Sequence, residues 1–175
     1  MRISETLYLG LGTNVGDRAA NLCAALRGIG AICVVDAVSP VYESDAIGHE
    51  DQPRFWNMAA RGTTQLRPDD VLDRLQQLER DIGRVPTFRM GPRIIDIDVL
   101  LYGRHVIETP SLRVPHAGLP DRPFVLRPLL DIEPRLVHPV SGEFLLDRLA
   151  ATGGAATLQK VGTAHEVLGD CVDTG

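Results

Sequence analysis

Asp96 and Asp98 lie two residues apart in an apolar, β-branched run, Ile94-Ile95-Asp96-Ile97-Asp98-Val99-Leu100-Leu101, a composition that favours a strand. Strand side chains alternate between faces, so both carboxylates aim to one side while Ile95, Ile97 and Val99 aim to the other. Two negative charges together on a strand with a buried opposite face need neutralising. A divalent metal or an arginine does this, and Arg93 stands three residues upstream of Asp96, with Arg84 and Arg89 in the segment before it. Carboxylates for a magnesium ion with guanidinium groups beside them are the equipment for handling a polyphosphate. The chemistry indicated is phosphoryl transfer.

Further residues fit a substrate around that centre. His116 follows Pro115 and precedes Arg122 by six positions; its ring is able to donate to a phosphate oxygen or to stand merely exposed. Phe55, Asn57 and Phe124 together make a flat slot whose amide reads a heterocycle edge, although core packing accounts for either ring alone. Gln76 and Glu79 share one helical turn near Arg84, where a solvated helix face is the simpler reading. Gly10-Leu11-Gly12-Thr13-Asn14-Val15-Gly16 follows a strand and opens a helix, but its spacing is one residue too long for a dinucleotide fingerprint. A structural tight turn is expected there, with Asn14 free to point at a ligand.

The elements that must position these groups follow from periodicity. A first strand is expected over 6–11. Asp17 then caps a helix whose face carries Leu22, Ala25, Leu26 and Ile29, closed by Gly28 or Gly30. A second strand runs over 32–38 and extends to Tyr42 beyond Pro40; 44–54 is a polar loop; 55–63 is a third strand. Pro68 opens a second helix with Val71, Leu75, Leu78 and Ile82 as its stripe, stopped by Gly83, and 84–91 is a second loop before the aspartate strand. A turn-rich stretch over 110–122, a short helix over 124–132 and a helix through Ala150 capped by Ser141 come next, and the tail past Gly153-Gly154 is weakly patterned. The order β-α-β-β-α-β indicates an α+β fold, a ferredoxin-like plait with a mainly antiparallel sheet and helices packed on it. Extra C-terminal elements covering the other face would make three αβα layers.

Composition bounds the rest. One domain over 1–175 is expected. A net charge of −5 argues against general binding to nucleic acid or to an anionic membrane. Seventeen of the eighteen basic residues are Arg and only Lys160 is Lys, so any phosphate clamp uses guanidinium forks. Cys23, Cys33 and Cys171 have no Cys-x-x-Cys spacing; Cys23 and Cys33 read as buried free thiols, and the sparse odd set suggests a reducing, cytoplasmic setting. No leader or spanning segment is evident, and a monomer is expected.

The motifs resemble those of the 6-hydroxymethyl-7,8-dihydropterin pyrophosphokinases of folate biosynthesis over roughly 8–142. They are Leu9-Gly10-Leu11-Gly12-Thr13-Asn14, Asp51-Gln52-Pro53 leading to Phe55-Trp56-Asn57, Glu79-Arg80-Asp81-Ile82-Gly83-Arg84, the run Gly91–Gly103 around the two aspartates, Val114-Pro115-His116, and Arg122-Pro123-Phe124-Val125-Leu126. The resemblance implies transfer of the β,γ-pyrophosphoryl unit of MgATP to the hydroxymethyl oxygen of the reduced pterin, releasing AMP. By the same resemblance Asp96 and Asp98 hold two Mg²⁺ ions, Arg84 and Arg93 contact the phosphates, and Gln76, Glu79, His116 and Arg122 line the ATP side; Arg89 is the candidate for the remaining phosphate contact of its loop. Ser44, Ile47, Phe55, Asn57 and Phe124 hold the pterin, and the two loops close over the substrates. Before Gly91 the family often carries a Trp and more basic residues; this chain has Val85-Pro86-Thr87-Phe88-Arg89-Met90, and Ala117 replaces an aromatic found after the His. Rival readings are a palm-type nucleotidyltransferase, which would release pyrophosphate rather than AMP, and a non-catalytic pterin- or nucleotide-binding module.

Overall fold

The computed structural model describes residues 3–48, 51–153 and 158–173; His49 and Glu50 of the first loop and Gly154 of the tail lie outside them. β1 (Glu5–Thr13) leads into α1 (Arg18–Ile29), whose first turn is capped by Asp17, its Oδ1 accepting from the Ala20 N–H. The buried face of α1 is Leu22, Ala25, Leu26 and Ile29, the four the period selects, and Gly30 closes it. Full burial of each large apolar side chain contributes about 1.5–3 kcal/mol. α2 (Pro68–Ile82) starts at a proline, carries Asp69 and Asp70 in its first turn, and stops at Gly83, whose φ of 117° favours glycine.

The expected second strand is two. β2 (Val34–Val38) and β3 (Val41–Ser44) flank Ser39-Pro40, and both pair with β4 (Phe55–Thr64), one on each half. Proline has no N–H for the ladder, and Ser39 Oγ takes the Ala59 N–H at 2.8 Å at this break. β5 (Asp96–Tyr102) begins two residues later than the apolar run suggests. The sheet order is β5-β1-β4-β3 with β2 also on β4, and every pairing is antiparallel, the arrangement of a ferredoxin-like plait. An antiparallel β1 leaves no parallel crossover for a dinucleotide site, as the tight-turn reading requires.

Helices cover both faces. α1 and α2 pack with Leu7, Leu9, Leu11, Ile97 and Val99 on one side. α3 (Pro123–Ile132) and α4 (Leu145–Ala151) pack with Tyr8, Leu100 and Leu101 on the other. A small β6 (Ile107–Glu108) pairs with β7 (Arg113–Val114), which lies inside the turn-rich stretch expected over 110–122. α4 does not start at Ser141: Phe144 is its N-cap, and the Ser141 hydroxyl accepts from Glu143 in the preceding turn.

The described part of the tail, 158–173, holds regular elements that its weak sequence pattern does not predict. β8 (Gln159–Gly162) adds to the free edge of β3, and α5 (Ala164–Leu168) with a 3-10 turn (Gly169–Val172) buries Ala164 and Leu168 in the α1 core. Cys171 is disulfide-bonded to Cys23 of α1 with Cα atoms 5.4 Å apart. The expectation of a free thiol at Cys23 is therefore overturned; the partner lies 148 residues away, a distance no local spacing rule reaches. Cys33 is free and buried, and burial pushes its thiol up to about 11. No helix among the described residues is long and apolar enough to cross a membrane.

Candidate active site

The aspartates project from β5 onto the α3 side of the sheet, while Ile97 and Val99 enter the α1–α2 core, as the alternation requires. They line a cleft between the sheet and the start of α3. The same cleft is lined by Arg93, Arg122, Ser44, Ile47, Phe55, Asn57 and Phe124, so every residue expected at the pterin comes together with both carboxylates. Gly10 and Gly12 of β1 form its floor. A Cβ on Gly12 would stand 3.6 Å from Asn57 Oδ1 and 3.8 Å from Phe55, inside the slot. The amide of Asn57 is buried and oriented: its Nδ2 donates to Ser44 Oγ at 2.9 Å.

At the other end of the cleft the charges interlock. Asp96 Oδ1 accepts from Arg84 at 2.9 Å and Oδ2 from Arg93 at 2.5 Å. Arg84 Nη1 also meets Glu79 Oε2 at 2.6 Å. Glu79 occupies the buried stripe of α2 with Val71 and Leu75 and is only 6% exposed, which overturns the solvated-face reading for this residue. Its other oxygen accepts the Ile97 N–H at 2.6 Å, tying α2 to the backbone between the two aspartates. Burial raises the Glu79 carboxyl above its ordinary value, with the Ile97 and Arg84 bonds opposing.

Asp98 Oδ2 lies 3.8 Å from His116 Nε2. Burial, then the charges of Asp96 and Glu79, push its carboxyl up to about 7, while Arg93 and Arg122 pull the other way. A second anion held in so unfavourable a field fits a cation placed beside it. Among the described residues no cluster of three or more His, Cys, Asp or Glu could hold a metal. Magnesium characteristically takes one or two carboxylates and completes its shell with phosphate and water oxygens, so the aspartate pair suits magnesium carried in with a polyphosphate. His116 is not itself among the lining residues of the cleft; its Nδ1 accepts the Gly118 N–H at 3.1 Å, which leaves the ring hydrogen on Nε2, the nitrogen 3.8 Å from Asp98. Burial, and then Arg122, lower its pKa, so the ring is neutral near pH 7. Arg122 lies across Gly118, where a Cβ would come within 2.7 Å of its Nε.

Two loops roof the cleft and are tied to each other. Asn14 does not point at a ligand: it is 2% exposed, its Nδ2 donates to Pro53 O at 2.9 Å and Gln52 Oε1 at 3.3 Å, and its Oδ1 accepts the Arg93 N–H at 2.8 Å. Gln52 Nε2 in turn donates to Met90 O at 2.7 Å. Met90 has a φ of 63°, positive for a non-glycine residue, and packs over Gly48 while lining the cleft. Such a conformation persists only where surrounding contacts enforce it. Gln76 and Arg89 are exposed and line none of the cleft. Missed from sequence were the cleft residues Gly12 and Met90 and the buttressing part played by Glu79. For Glu79 the signal was present, since a carboxylate at the third step of an apolar i, i+4 row is out of place on a solvated face.

A family model described as 7,8-dihydro-6-hydroxymethylpterin-pyrophosphokinase matches residues 8–134. The chain is 44% identical over 135 residues to the 2-amino-4-hydroxy-6-hydroxymethyldihydropteridine pyrophosphokinase of Aquifex aeolicus, covering 77% of this chain and 84% of that protein. It is 45% identical over 132 residues to the enzyme of the same name from Bacillus subtilis, covering 74% and 79%. Among solved structures, Plasmodium falciparum HPPK-DHPS with pterin and p-hydroxybenzoate superposes with a TM-score of 0.76 at 14% identity, over 91% of this chain and 48% of that longer chain; this likeness bears on the fold alone. With most of its length inside the family model and relatives of such identity along most of both chains, this chain belongs to the 7,8-dihydro-6-hydroxymethylpterin-pyrophosphokinase family, ATP-dependent diphosphotransferases of folate synthesis.

Proposed function

We propose that this cleft carries out the family reaction within a single domain, 1–175, with the reduced pterin in the slot of Phe55, Asn57, Ser44 and Phe124 and the triphosphate at the Asp96–Asp98 end. The observation that carries the assignment is the continuity of one cleft, in which a flat slot with an oriented amide opens directly onto paired carboxylates and arginines. The new bond joins the pterin hydroxymethyl oxygen to the β-phosphorus of ATP. The bond from that phosphorus to the oxygen bridging it to the α-phosphorus breaks, AMP leaves with that oxygen, and the hydroxyl proton is released. Asp96 and Asp98 are the residues that would hold magnesium, two ions by family resemblance, and the metal would supply charge neutralisation on the phosphates.

The chain's own groups do the rest. Arg84 and Arg93 are steered by Asp96 toward the transferring group, where guanidinium contacts strengthen as charge shifts. His116 Nε2–H and Arg122 donate to phosphate oxygens from the α3 side. Phe55, Phe124 and Ile47 enclose the ring, and Asn57 reads its polar edge. The loops tied through Asn14, Gln52 and Met90 exclude water that would otherwise hydrolyse ATP. Arg89 and Gln76 reach the nucleotide only on further closure. The working form is proposed to be a cytoplasmic monomer; the thiol state of Cys23 and Cys171 in freshly lysed cells bears directly on the compartment.

The test is product analysis on the intact protein and its Asp98→Ala variant. Incubation with MgATP and 6-hydroxymethyl-7,8-dihydropterin should yield AMP and the pterin diphosphate, and Asp98→Ala should abolish turnover while pterin binding survives. Pyrophosphate as product, or near-native turnover in the variant, refutes the assignment.

A further inference from the structure

The strands that present the pterin slot carry a second set of side chains on their reverse face. Ser44 pairs with Phe55 and Tyr42 with Asn57 across β3 and β4, so the residue between them, Glu43, stands opposite Trp56 on the other side. Glu43 takes three donors there: Arg18 Nη1 at 2.9 Å, Arg54 Nη1 at 3.0 Å and Trp56 Nε1 at 3.1 Å. Arg18 comes from the first turn of α1, stacks 4.4 Å from the Trp56 ring centre, and donates also to Arg54 O at 2.9 Å. Arg54 Nε reaches Asp45 Oδ1 at 2.9 Å. Burial works against the Glu43 charge, yet the bonds from Arg18 and Trp56 and the charges of Arg18 and Arg54 hold its carboxyl below the ordinary range.

None of Glu43, Arg18, Arg54 and Trp56 lines the cleft. They join the two stems of the 44–54 loop, Glu43 to Asp45 on one side and Arg54 to Trp56 on the other, to each other and to α1. The stems are where strand pairing ends, since Ser44–Phe55 is the last paired step. The bond that orients the slot, Asn57 Nδ2 to Ser44 Oγ, spans this same strand end. Whatever holds the strand ends in register also holds the amide.

We infer that Glu43 is a positioning residue for acceptor recognition: its carboxylate, clasped by Arg18, Arg54 and Trp56, fixes the necks of the loop from behind and thereby sets the Ser44–Asn57 geometry on the front. The inference rests on the slot being the pterin site. Losing the clasp weakens pterin binding and leaves ATP binding and the phosphate end untouched. Because the effect passes through the Asn57 amide, it disappears once that amide is gone.

The experiment measures pterin and ATP dissociation constants and melting temperature for the full chain, Glu43→Gln, Glu43→Asp, Asn57→Ala and the double variant Glu43→Gln/Asn57→Ala. Glu43→Gln is expected to weaken pterin binding about tenfold, the mid-range for coupled neighbours, with ATP binding within about twofold. Glu43→Asp should recover part of the loss. Glu43→Gln added to Asn57→Ala should cause no further loss, a non-additivity that a general loss of stability would not produce. Additive losses, or unchanged pterin affinity in Glu43→Gln while Asn57→Ala weakens it, overturn the inference alone. Unchanged pterin affinity in Asn57→Ala overturns the slot assignment beneath it. If Glu43→Gln fails to fold, Trp56→Phe, which removes one donor to Glu43 and keeps an aromatic ring at that position, carries the same test in the same background.

Discussion

Glu79→Gln removes a charge from beneath the phosphate end of the cleft while keeping the shape of the side chain, and two opposing effects decide its outcome. Hydrogen bonds to charged groups contribute about 1.5–3 kcal/mol, so the lost bond to Arg84 is destabilising. Part of this is recovered, because Arg84 is 31% exposed and keeps Asp96 at 2.9 Å as a second partner. Against the loss stands burial, which raises the Glu79 carboxyl above its ordinary 4.5 in spite of both bonds. The two partners disagree: burial opposes the Arg84 charge as well, yet Asp96 and Glu79 hold that guanidinium more firmly protonated. The arginine gains and the carboxylate loses, and the deeper burial of Glu79 makes its loss the better guide. The pair is close to break-even for folding, and ΔΔG for Glu79→Gln at pH 7 is expected within about 1 kcal/mol of zero.

The pH dependence follows in sign. A carboxyl with a raised native pKa binds its proton more tightly in the native state, so wild-type stability falls as pH rises from 4.5 through the raised value. Glutamine lacks this slope, so the variant fares better relative to wild type at pH 7 than at pH 4. Catalysis responds differently. Arg84 loses its charged anchor on α2 and is left with Asp96 alone, and a displacement of about 1 Å at the reacting groups is enough to lower kcat by up to about a hundredfold. Urea unfolding at the two pH values, paired with AMP release at saturating substrates, measures both sides. Destabilisation beyond about 3 kcal/mol would show attraction outweighing burial, and a kcat within about twofold of wild type would show that Arg84 does not depend on Glu79 for its place; either result refutes the reasoning.

Other substitutions probe separate parts of the cleft. Gly12→Val sends its branches into the slot beside Asn57 and Phe55; titration should show pterin binding reduced about a hundredfold or more with ATP binding retained, and unaltered pterin affinity would place the ring elsewhere. Arg93→Ala should lower kcat by roughly 10²–10³ and raise KM for ATP less, as for a contact that strengthens in the transition state; an effect confined to KM would reduce Arg93 to ground-state binding. Cys171→Ser opens a closure of 148 residues, and the chain-entropy account sets the upper limit of the loss near 5 kcal/mol. Reducing agent should shift wild-type unfolding toward that of the variant and leave the variant unmoved; a wild-type curve indifferent to reductant would mean the bond contributes nothing.

The plait was legible because its elements have clean periods and strong punctuation. Asp17 and Gly30 around α1, Pro68 and Gly83 around α2, and the alternation through Asp96 and Asp98 each fix a local geometry that packing then confirms. The slot was half legible from the residues: the strand period puts Phe55 and Asn57 on one face of β4, but Phe124 comes from α3, far along the chain, and only the family motifs tied it to them. Non-local facts were hidden. The division of the second strand depends on how β4 serves two partners, and the start of α4 on the turn before it. Cys23 and Cys171 are brought together by the packing of the C-terminal elements on α1, across a separation of 148 residues. Asn14 looked like a ligand contact because a buried amide between loops and one facing a substrate have the same sequence signature.

The docking of β8 has a bearing on handling the protein. β3 has β4 along one side and 159–162 along the other, so shortening the chain to the stretch it shares with its family model would strip a neighbour from 41–43. Those peptide groups would then offer an open ladder to any extended segment in reach. Truncated molecules meeting edge to edge would be expected to zip together and precipitate, and the damage would start at the strand that carries Ser44.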